Sequence, residues 1–427
     1  MQNKFAAIIF IILISSPFFS ASGQKMINSP YARFNLGTLE PAGSFRSRAM
    51  GGTGTAIRDN STLYYTNPAS FSSIDTNSFV FDFGINYGIN TLSDGSEKYS
   101  SDDVNFDHML LGLPLAKGWG AGFGITSFSN GYYSIASKVG RNDSGYNPVT
   151  GEYAENHSGK GGISRLFAGT GVKMLRYFSA GVNVNILFGS IRRSNQFIFT
   201  DYFNSYNNDL TEKLELNGIN FDYGLQAELP FKNNYFLIAG ASLGQGMNYR
   251  SRYEVLSYRY NYYGLNDTIN WSADSSKTFI PGTLSLGLSF GKKNKFTAAV
   301  DYVMTNWSES NLHGSRGYLA DARSLSFGVE YIPEKYSNFS LFRRMEYRMG
   351  AHLDDNYLII NGEQLKEAGI TAGIGIPMRR SLSKANIYFD FTKRSGKGGI
   401  MHTENIFTIG ASLNLYDPYW FLKRKYD

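Results

Sequence analysis

Hydrophobic residues alternate with small or polar ones along most of the chain, with the period of two that indicates β-strands. The first such run covers residues 78–87, with Phe79, Phe81, Phe83, Ile85 and Tyr87 on one face and Val80, Asp82, Gly84 and Asn86 on the other. Because successive side chains of a strand point to opposite faces, this pattern describes a sheet with one apolar and one small or polar face. Such strands are typical of a transmembrane β-barrel.

The same alternation predicts about fourteen strands, whose connections alternate between short and long. The predicted strands lie near residues 77–92, 104–116, 118–130, 160–175, 178–199, 211–229, 234–254, 278–291, 294–308, 321–333, 343–358, 367–378, 383–395 and 402–416. Short connections such as residues 117–118 alternate with long polar ones such as residues 130–161. Outer-membrane barrels have short periplasmic turns and long extracellular loops. The chain is therefore predicted to be all-β, a 14-stranded antiparallel transmembrane β-barrel over residues 77–416.

Both ends of the chain add segments to this barrel. Lys4 precedes an apolar stretch from Phe5 to Phe19, which ends in the small residues 20–23. This order predicts a cleaved secretory signal peptide over residues 1–23. Together with the barrel, the signal predicts the outer membrane of a Gram-negative bacterium, with membrane lipids and lipopolysaccharide as the surroundings. Residues 417–427, which include Trp420 and Phe421, are predicted to be a periplasmic tail.

Composition agrees with a barrel and narrows the chemistry. Of the 427 residues, 15% are aromatic, yet the mean hydropathy is only −0.27, as expected when alternate residues alone face lipid. The formal net charge of +6 is spread along the chain, so nucleic-acid binding is not expected. The chain has no cysteine and its five histidines are scattered, so neither a metal site nor a cofactor is expected.

The sequence also favours a protein that is not an enzyme. The pattern G-x-S-x-G occurs at residues 240–244 and 287–291. A nucleophilic serine in this motif needs a turn from a strand into a helix, and no helical pattern follows either match. Small residues that alternate in a barrel strand produce such matches by chance.

Charged residues within the strands are predicted to face the lumen, because an arginine or lysine that faces lipid at the bilayer midplane costs roughly 2–4 kcal/mol. The predicted lumen residues include Asp82, Arg165, Asp222, Asp301, Glu330 and Arg348. Over the whole predicted barrel, acidic lumen groups outnumber basic ones. Arg192 and Arg193 are neighbours that cannot both face inward, so their strand is expected to extend beyond the bilayer.

Residues 24–76 lack the strand alternation and are weakly basic. Closely spaced glycines at 51, 52 and 54, together with a proline at 68, favour compact and irregular backbone. A basic segment inside an acidic lumen would pair charges that water alone must otherwise solvate. We therefore predict that residues 24–76 form a hatch that plugs the barrel. Its most informative positions are Arg58, Asp59, Asn67, Pro68 and Ala69.

Three motifs stand out in this segment: S-R-A-M-G-G-T-G at residues 47–54, D-N-S-T-L-Y-Y at residues 59–65 and N-P-A at residues 67–69. They resemble the amino-terminal hatch of the FadL/TodX family of outer-membrane transport proteins, and the overall style resembles such barrels of Bacteroidota. The resemblance implies a 14-stranded barrel that passively takes up hydrophobic ligands such as long-chain fatty acids. It also implies a lateral opening at the third strand, where Gly120, Gly122 and Gly124 share one face.

Two alternatives stay open. Some FadL-like barrels serve protein secretion, so the chain is alternatively an anchor or shuttle whose partner is a secreted or periplasmic protein. Loops rich in Tyr and Asn, such as residues 201–208, suit such recognition. The other alternative is a hydrophilic porin, which a hatch inside the lumen would disfavour.

Overall fold

The computed structural model describes residues 28–93, 98–200, 206–261, 263, 266–313, 318–378, 381–396 and 403–420. The predicted signal peptide and the part of the tail that begins at Phe421 lie outside these ranges. Among the described residues, no helix has the length and apolar character needed to cross a membrane.

Fourteen antiparallel strands form one closed barrel, which confirms the predicted fold. The strands are β1 (Phe79–Ser93), β2 (Lys98–Ala116), β3 (Trp119–Asn130 and Tyr133–Val139), β4 (Tyr153–Lys173), β5 (Phe178–Phe199), β6 (Asn207–Pro230), β7 (Tyr235–Gly244 and Met247–Tyr260), β8 (Asn266–Ile280 and Thr283–Lys292), β9 (Phe296–Thr305), β10 (Ala322–Tyr331), β11 (Glu346–Ile360), β12 (Glu363–Pro377), β13 (Lys384–Ser395) and β14 (Thr403–Asp417). Each strand pairs with its neighbours in chain order, and β14 closes the barrel by pairing with β1 along its whole length. Thr38–Leu39 and Tyr318–Leu319 form two additional strands of two residues each.

The wall alternates between an apolar outer face and a polar inner face. In β8, Leu286, Leu288 and Phe290 are 44–47% exposed on the outside, whereas Ser289 between them is buried. In β1, Phe83 is exposed on the outside. A row of exposed apolar side chains on many neighbouring strands is suited to contact with lipid rather than water.

The two ends of the barrel differ. At one end, the short-turn end, connections such as residues 117–118 join the strands, and β1 begins and β14 ends there. At the other, the long-loop end, β4, β5 and β6 extend the wall, since they have 21, 22 and 24 residues against ten in β9 and β10. Arg192 is exposed and Arg193 is buried in this extension, as expected for a strand that continues beyond the bilayer.

Residues 28–76 lie inside the barrel. Their helices are short: the 3-10 turn Pro30–Arg33, α1 (Phe45–Arg48) and the 3-10 turn Pro68–Ser73. The upper segment, residues 28–40, lies toward the long-loop end, because Ser29 donates a hydrogen bond to Glu404 near the start of β14. The lower segment, residues 44–76, lies toward the short-turn end, where Tyr416 near the end of β14 donates to Asp75.

Each segment packs in its own apolar cluster. Leu36 of the upper segment is fully buried, and the cluster around it includes Trp307 and Tyr357 of the wall region. Phe71 of the lower segment is fully buried in a second cluster with Phe167 of β4. Burying a large apolar side chain contributes about 1.5–3 kcal/mol, so both segments are held by packing as well as by polar contacts.

Candidate functional site

A buried network of charges fastens the lower segment to the wall. Arg46 donates through Nε and Nη2 to the two carboxylate oxygens of Glu330, at 2.9 and 2.7 Å. Arg348 Nε donates to the same carboxylate at 2.7 Å, and its other end pairs with Glu346. Lys384 Nζ donates to Glu346 at 2.9 Å. The predicted lumen residues Glu330 and Arg348 are thus cross-strand neighbours that hold the hatch.

Asp59 neutralises the other side of the same hatch arginine. Its carboxylate lies 2.6 Å from Arg46 Nη1 and accepts hydrogen bonds from the backbone N–H and hydroxyl of Ser61. Burial alone would raise the pKa of Asp59, but the charges of Arg46 and Lys384 hold that pKa well below its usual range. Asp59 is therefore ionised at neutral pH and supports the docked hatch.

Arg58 binds a different part of the wall. Its guanidinium donates to Gln226 Oε1 at 3.0 Å and to the Ser72 hydroxyl at 2.9 Å, and its Nε lies 3.4 Å from Glu228. The adjacent residues Arg58 and Asp59 thus face opposite ways, one toward β6 and one toward the charge network of β10 and β11. These opposite contacts fix the orientation of the backbone at residues 58–59.

Asn67, Pro68 and Ala69 form a point where the backbone of the hatch lies directly against the wall. The Asn67 side chain accepts a hydrogen bond from the Ala69 N–H and so caps the 3-10 turn. Its amide donates to three backbone carbonyls, those of Thr55, Leu225 and Ala241. A Cβ at Gly181 of β5 would lie 2.4 Å from the carbonyl carbon of Pro68. The wall therefore carries glycine where the hatch backbone touches it.

The three glycines of β3 lie in the same contact region, not at a gap in the wall. Gly120 and Gly122 are paired with β2 on one side and β4 on the other. A Cβ at Gly120 would lie 2.1 Å from the Phe71 carbonyl oxygen, and one at Gly122 would lie 2.8 Å from the Phe71 ring. A Cβ at Gly124 would meet Phe167 and Leu110. These glycines make room for the hatch and for inward side chains, so the structure does not place an opening of the wall there.

A seam in the wall lies further along the same strand. β2 pairs with β3 only from residue 108 to residue 116, and with β1 from residue 98 onward. Beyond Thr126, the edge of β3 that faces β2 instead pairs with Thr38–Leu39 of the hatch, and Asn28 exchanges two side-chain hydrogen bonds with the backbone of Ser134. Among the described residues, the ladder between these two strands is therefore interrupted toward the long-loop end.

Between the two hatch segments lies a chamber of about 490 Å³. Its lining includes Asn105 and Phe106 of β2 and Ser127 and Phe128 of β3, which are the residues on either side of the seam. The lower segment separates this chamber from a second cavity of about 510 Å³ at the short-turn end. The chamber is thus closed above and below by the hatch and borders the seam on one side.

Three predicted lumen residues line this chamber. Asp301 Oδ2 accepts hydrogen bonds from the backbone N–H groups of Gly54 and Thr55, at 2.7 and 2.8 Å. Asp222 accepts from Asn185 at 2.7 Å. The Arg165 guanidinium lies 5.1 Å from the ring centre of Phe128, a cation–π distance.

Asp82 lies elsewhere, in a chain of buried groups between wall and hatch. Its carboxylate is 3.6 Å from His108 Nε2, and His108 Nδ1 is 2.6 Å from Asp107. Asp107 in turn lies 2.7 Å from Arg48 of α1. Strand alternation alone does not place adjacent Asp107 and His108 on the inner face, but the register of β2 shifts at this point and both side chains are buried. A local bulge therefore created a hatch contact that the sequence pattern did not reveal.

Solved structures with the same fold include the Pseudomonas putida toluene transporter TodX, at 16% identity and a TM-score of 0.58, over 90% of this chain and all of that one. The CymD monoaromatic hydrocarbon channel matches at 14% identity and a TM-score of 0.54, over 90% of this chain and 99% of that one. A Pseudomonas aeruginosa FadL homologue matches at 13% identity and a TM-score of 0.54, over 90% of this chain and 99% of that one. No curated protein matches the chain.

These likenesses show the fold of FadL-type β-barrels. Barrels of the Gram-negative outer membrane, the location of the family reported below, have short periplasmic turns and long extracellular loops, so the short-turn end is periplasmic and the long-loop end extracellular. The family model named BamG matches residues 1–427, the full length of the sequence. The protein belongs to the BamG family.

Proposed function

We propose that this barrel takes up hydrophobic or amphipathic small molecules, which enter the chamber through the seam between β2 and β3. The observation that carries the proposal is the chamber itself, because it borders the seam while the hatch closes it above and below. Structures with the same fold include a toluene transporter and a monoaromatic hydrocarbon channel, which supports a hydrophobic ligand.

Entry from the outer leaflet suits the chemistry of the seam. Phe106 and Phe128 lie at its two sides, so an apolar chain can pass between them without crossing water. Onward passage to the periplasm requires the lower segment to move, because it separates the chamber from the cavity below. Uptake is therefore passive and gated by the hatch, and no chemical step is needed. Long-chain fatty acids are one ligand class of suitable size and shape.

Uptake into liposomes tests this proposal. Asn105 lines the chamber at the seam, and the chain has no native cysteine, so Asn105→Cys can be modified selectively with a bulky thiol reagent. We expect modification to reduce entry of labelled oleate and of a labelled aromatic hydrocarbon to the level of empty liposomes. Leu225→Cys on the lipid-facing side of β6 is the matched control, and its modification should leave uptake unchanged. Equal uptake before and after modification at Asn105 would refute entry through the seam.

A second candidate function is an anchor or shuttle for secreted proteins, and one feature of β8 favours it. Its extracellular part, Asn266–Ile280, pairs with β7, and no other strand of the described residues lines its opposite edge. Ile269 and Trp271 are 55% and 64% exposed on this extension. A long exposed edge strand is a template for an added strand from another chain.

Copurification in mild detergent distinguishes this candidate from uptake. We expect a protein partner that binds the wild-type barrel but is lost with Trp271→Asp, while the lipid-facing variant Trp119→Asp serves as control for a general effect of charge. Retention of the same partner by Trp271→Asp would argue against this edge as the binding surface.

A further inference from the structure

The chamber has an excess of acidic groups. Its lining contains eight Asp or Glu side chains and four Arg side chains, with His352 in addition. Lysine is absent from that lining among the described residues. A neutral hydrocarbon would gain nothing from such an excess, so the charges that the protein does not itself compensate bear on the class of ligand.

Most of the carboxylates have a cationic neighbour. Arg48 lies 2.7 Å from Asp107, and Arg394 lies 3.0 Å from Glu367. Lys366 is 3.0 Å from Asp355. His352 stands between two more carboxylates, those of Asp354 and Asp390. These groups form a polar wall whose charges are satisfied locally.

One carboxylate lacks such a neighbour. Glu40 and Asp222 interact electrostatically with Arg48 and Arg165, respectively, whereas Asp301 forms no ion pair within the described part of the chain. Asp301 is only 3% exposed, and its Oδ1 accepts no hydrogen bond. The chamber therefore retains uncompensated negative charge.

Asp301 and the aromatic groups occupy different parts of the chamber. Asp301 contacts the lower segment through Gly54 and Thr55, so it lies at the floor. Trp307 and Tyr249 line the chamber and belong to the apolar cluster around the upper segment, so they lie at the roof. The chamber is thus amphipathic, with a negative floor and an aromatic roof.

We propose that the chamber binds an amphipathic cation, such as a primary ammonium group on an apolar chain, with the cation at the acidic floor and the chain against the roof. This inference rests on the proposed uptake function and specifies the class of molecule. Unit charges a few ångströms apart in a partly buried site attract strongly enough to change binding roughly tenfold or more. A carboxylate head group on the same chain would bind more weakly than this cation.

Three ligands with an identical twelve-carbon chain test the head group alone: dodecylamine, dodecanol and dodecanoate. Binding is measured with the whole protein in nanodiscs of uncharged lipid, by displacement of a fluorescent hydrophobic probe. We expect dodecylamine to bind about tenfold more tightly than dodecanoate, with dodecanol between them. In Asp301→Asn this difference should shrink to less than threefold, while Asp143→Asn in an exposed loop should preserve it.

Glu40→Gln, in the hatch rather than the wall, provides a second variant in case Asp301→Asn does not fold. Dodecanoate that binds as tightly as dodecylamine would overturn the cation preference but leave uptake of amphipathic molecules intact. Binding of none of the three ligands would overturn the proposed uptake function itself. An unchanged tenfold difference in both folded acidic variants would show that these carboxylates do not select the head group.

Discussion

The contact between Arg46 and Glu330 offers the sharpest test of how the hatch is held. In Glu330→Gln the side chain keeps its shape but loses its charge, while Arg46 and Arg348 remain buried beside it. Hydrogen bonds to charged groups contribute about 1.5–3 kcal/mol each, and Arg46 makes two with this carboxylate. Removing one partner from a buried ion pair costs about 3–5 kcal/mol. We take about 3 kcal/mol because Asp59 still compensates Arg46.

A loss of about 3 kcal/mol raises the undocked population of the hatch roughly a hundredfold. Undocking can be followed by thiol labelling, because the chain has no native cysteine. Ser70→Cys is a nearly isosteric reporter at a hatch position that is only 3% exposed. When opening is fast relative to labelling, the labelling rate is proportional to the open population. Combined with this reporter, Glu330→Gln is expected to be labelled about a hundredfold faster than the parent.

The matched control is Glu215→Gln, since Glu215 pairs with Lys213 on an exposed part of the wall. Exposed ion pairs contribute only about 0–1 kcal/mol, so this variant should change the labelling rate by less than about threefold. Heat-dependent migration on gels verifies that each barrel is closed. A folded Glu330→Gln barrel that is labelled at the parent rate would refute the role assigned to this ion pair.

Three further predictions concern the hatch. Gly120→Ala should displace the turn that contains Phe71 and speed its proteolysis, whereas Gly140→Ala, whose added carbon meets nothing closer than 3.7 Å, should not. Leu36→Asn, at a fully buried position, should weaken the packing of the upper segment against the wall by about 2–4 kcal/mol. Protease added to intact cells should then cut near residue 36, and full protection would contradict this. Because the pKa of Asp59 is depressed, its contribution to docking is present above about pH 4 and is lost as the pH falls further. Because only the thiolate reacts, the labelling rate at each pH is divided by that of an exposed cysteine in the same barrel. This ratio should be constant between pH 7 and 5 and rise in more acidic buffer, and a rise already at pH 6 would contradict this.

The sequence predicted the barrel well because lipid enforces alternation on every strand that crosses it. All fourteen predicted strands are present, and the bounds of β5 match the prediction. The predicted strands were too short where the chain extends beyond the lipid. β8 begins at Asn266, twelve residues before the predicted start at 278, because its extracellular part is exposed on both faces and carries no apolar alternation. β7 is interrupted at residues 245–246 and β8 at residues 281–282, whereas the alternation predicted a continuous strand across each of these positions.

The hatch was predictable only in outline. Its basic character correctly suggested contacts with acidic wall residues, and Arg46, Arg48 and Arg58 make them. The particular partners depend on the path of an irregular segment, and its sequence has no repeating pattern from which that path could be predicted. The opening assigned to the glycines of β3 rested on the resemblance, whereas the close contact with Phe71 explains those glycines physically.

The junction between β14 and β1 also constrains how the protein reaches its folded state. Glu404 of β14 is completely buried and accepts hydrogen bonds from Ser29 of the hatch and Asn90 of β1. Near the other end of the same junction, Tyr416 of β14 donates to Asp75. The last strand thus meets the first across a surface to which residues 29 and 75 both contribute. Closure of the barrel and docking of its amino-terminal segment are therefore expected to depend on each other during folding.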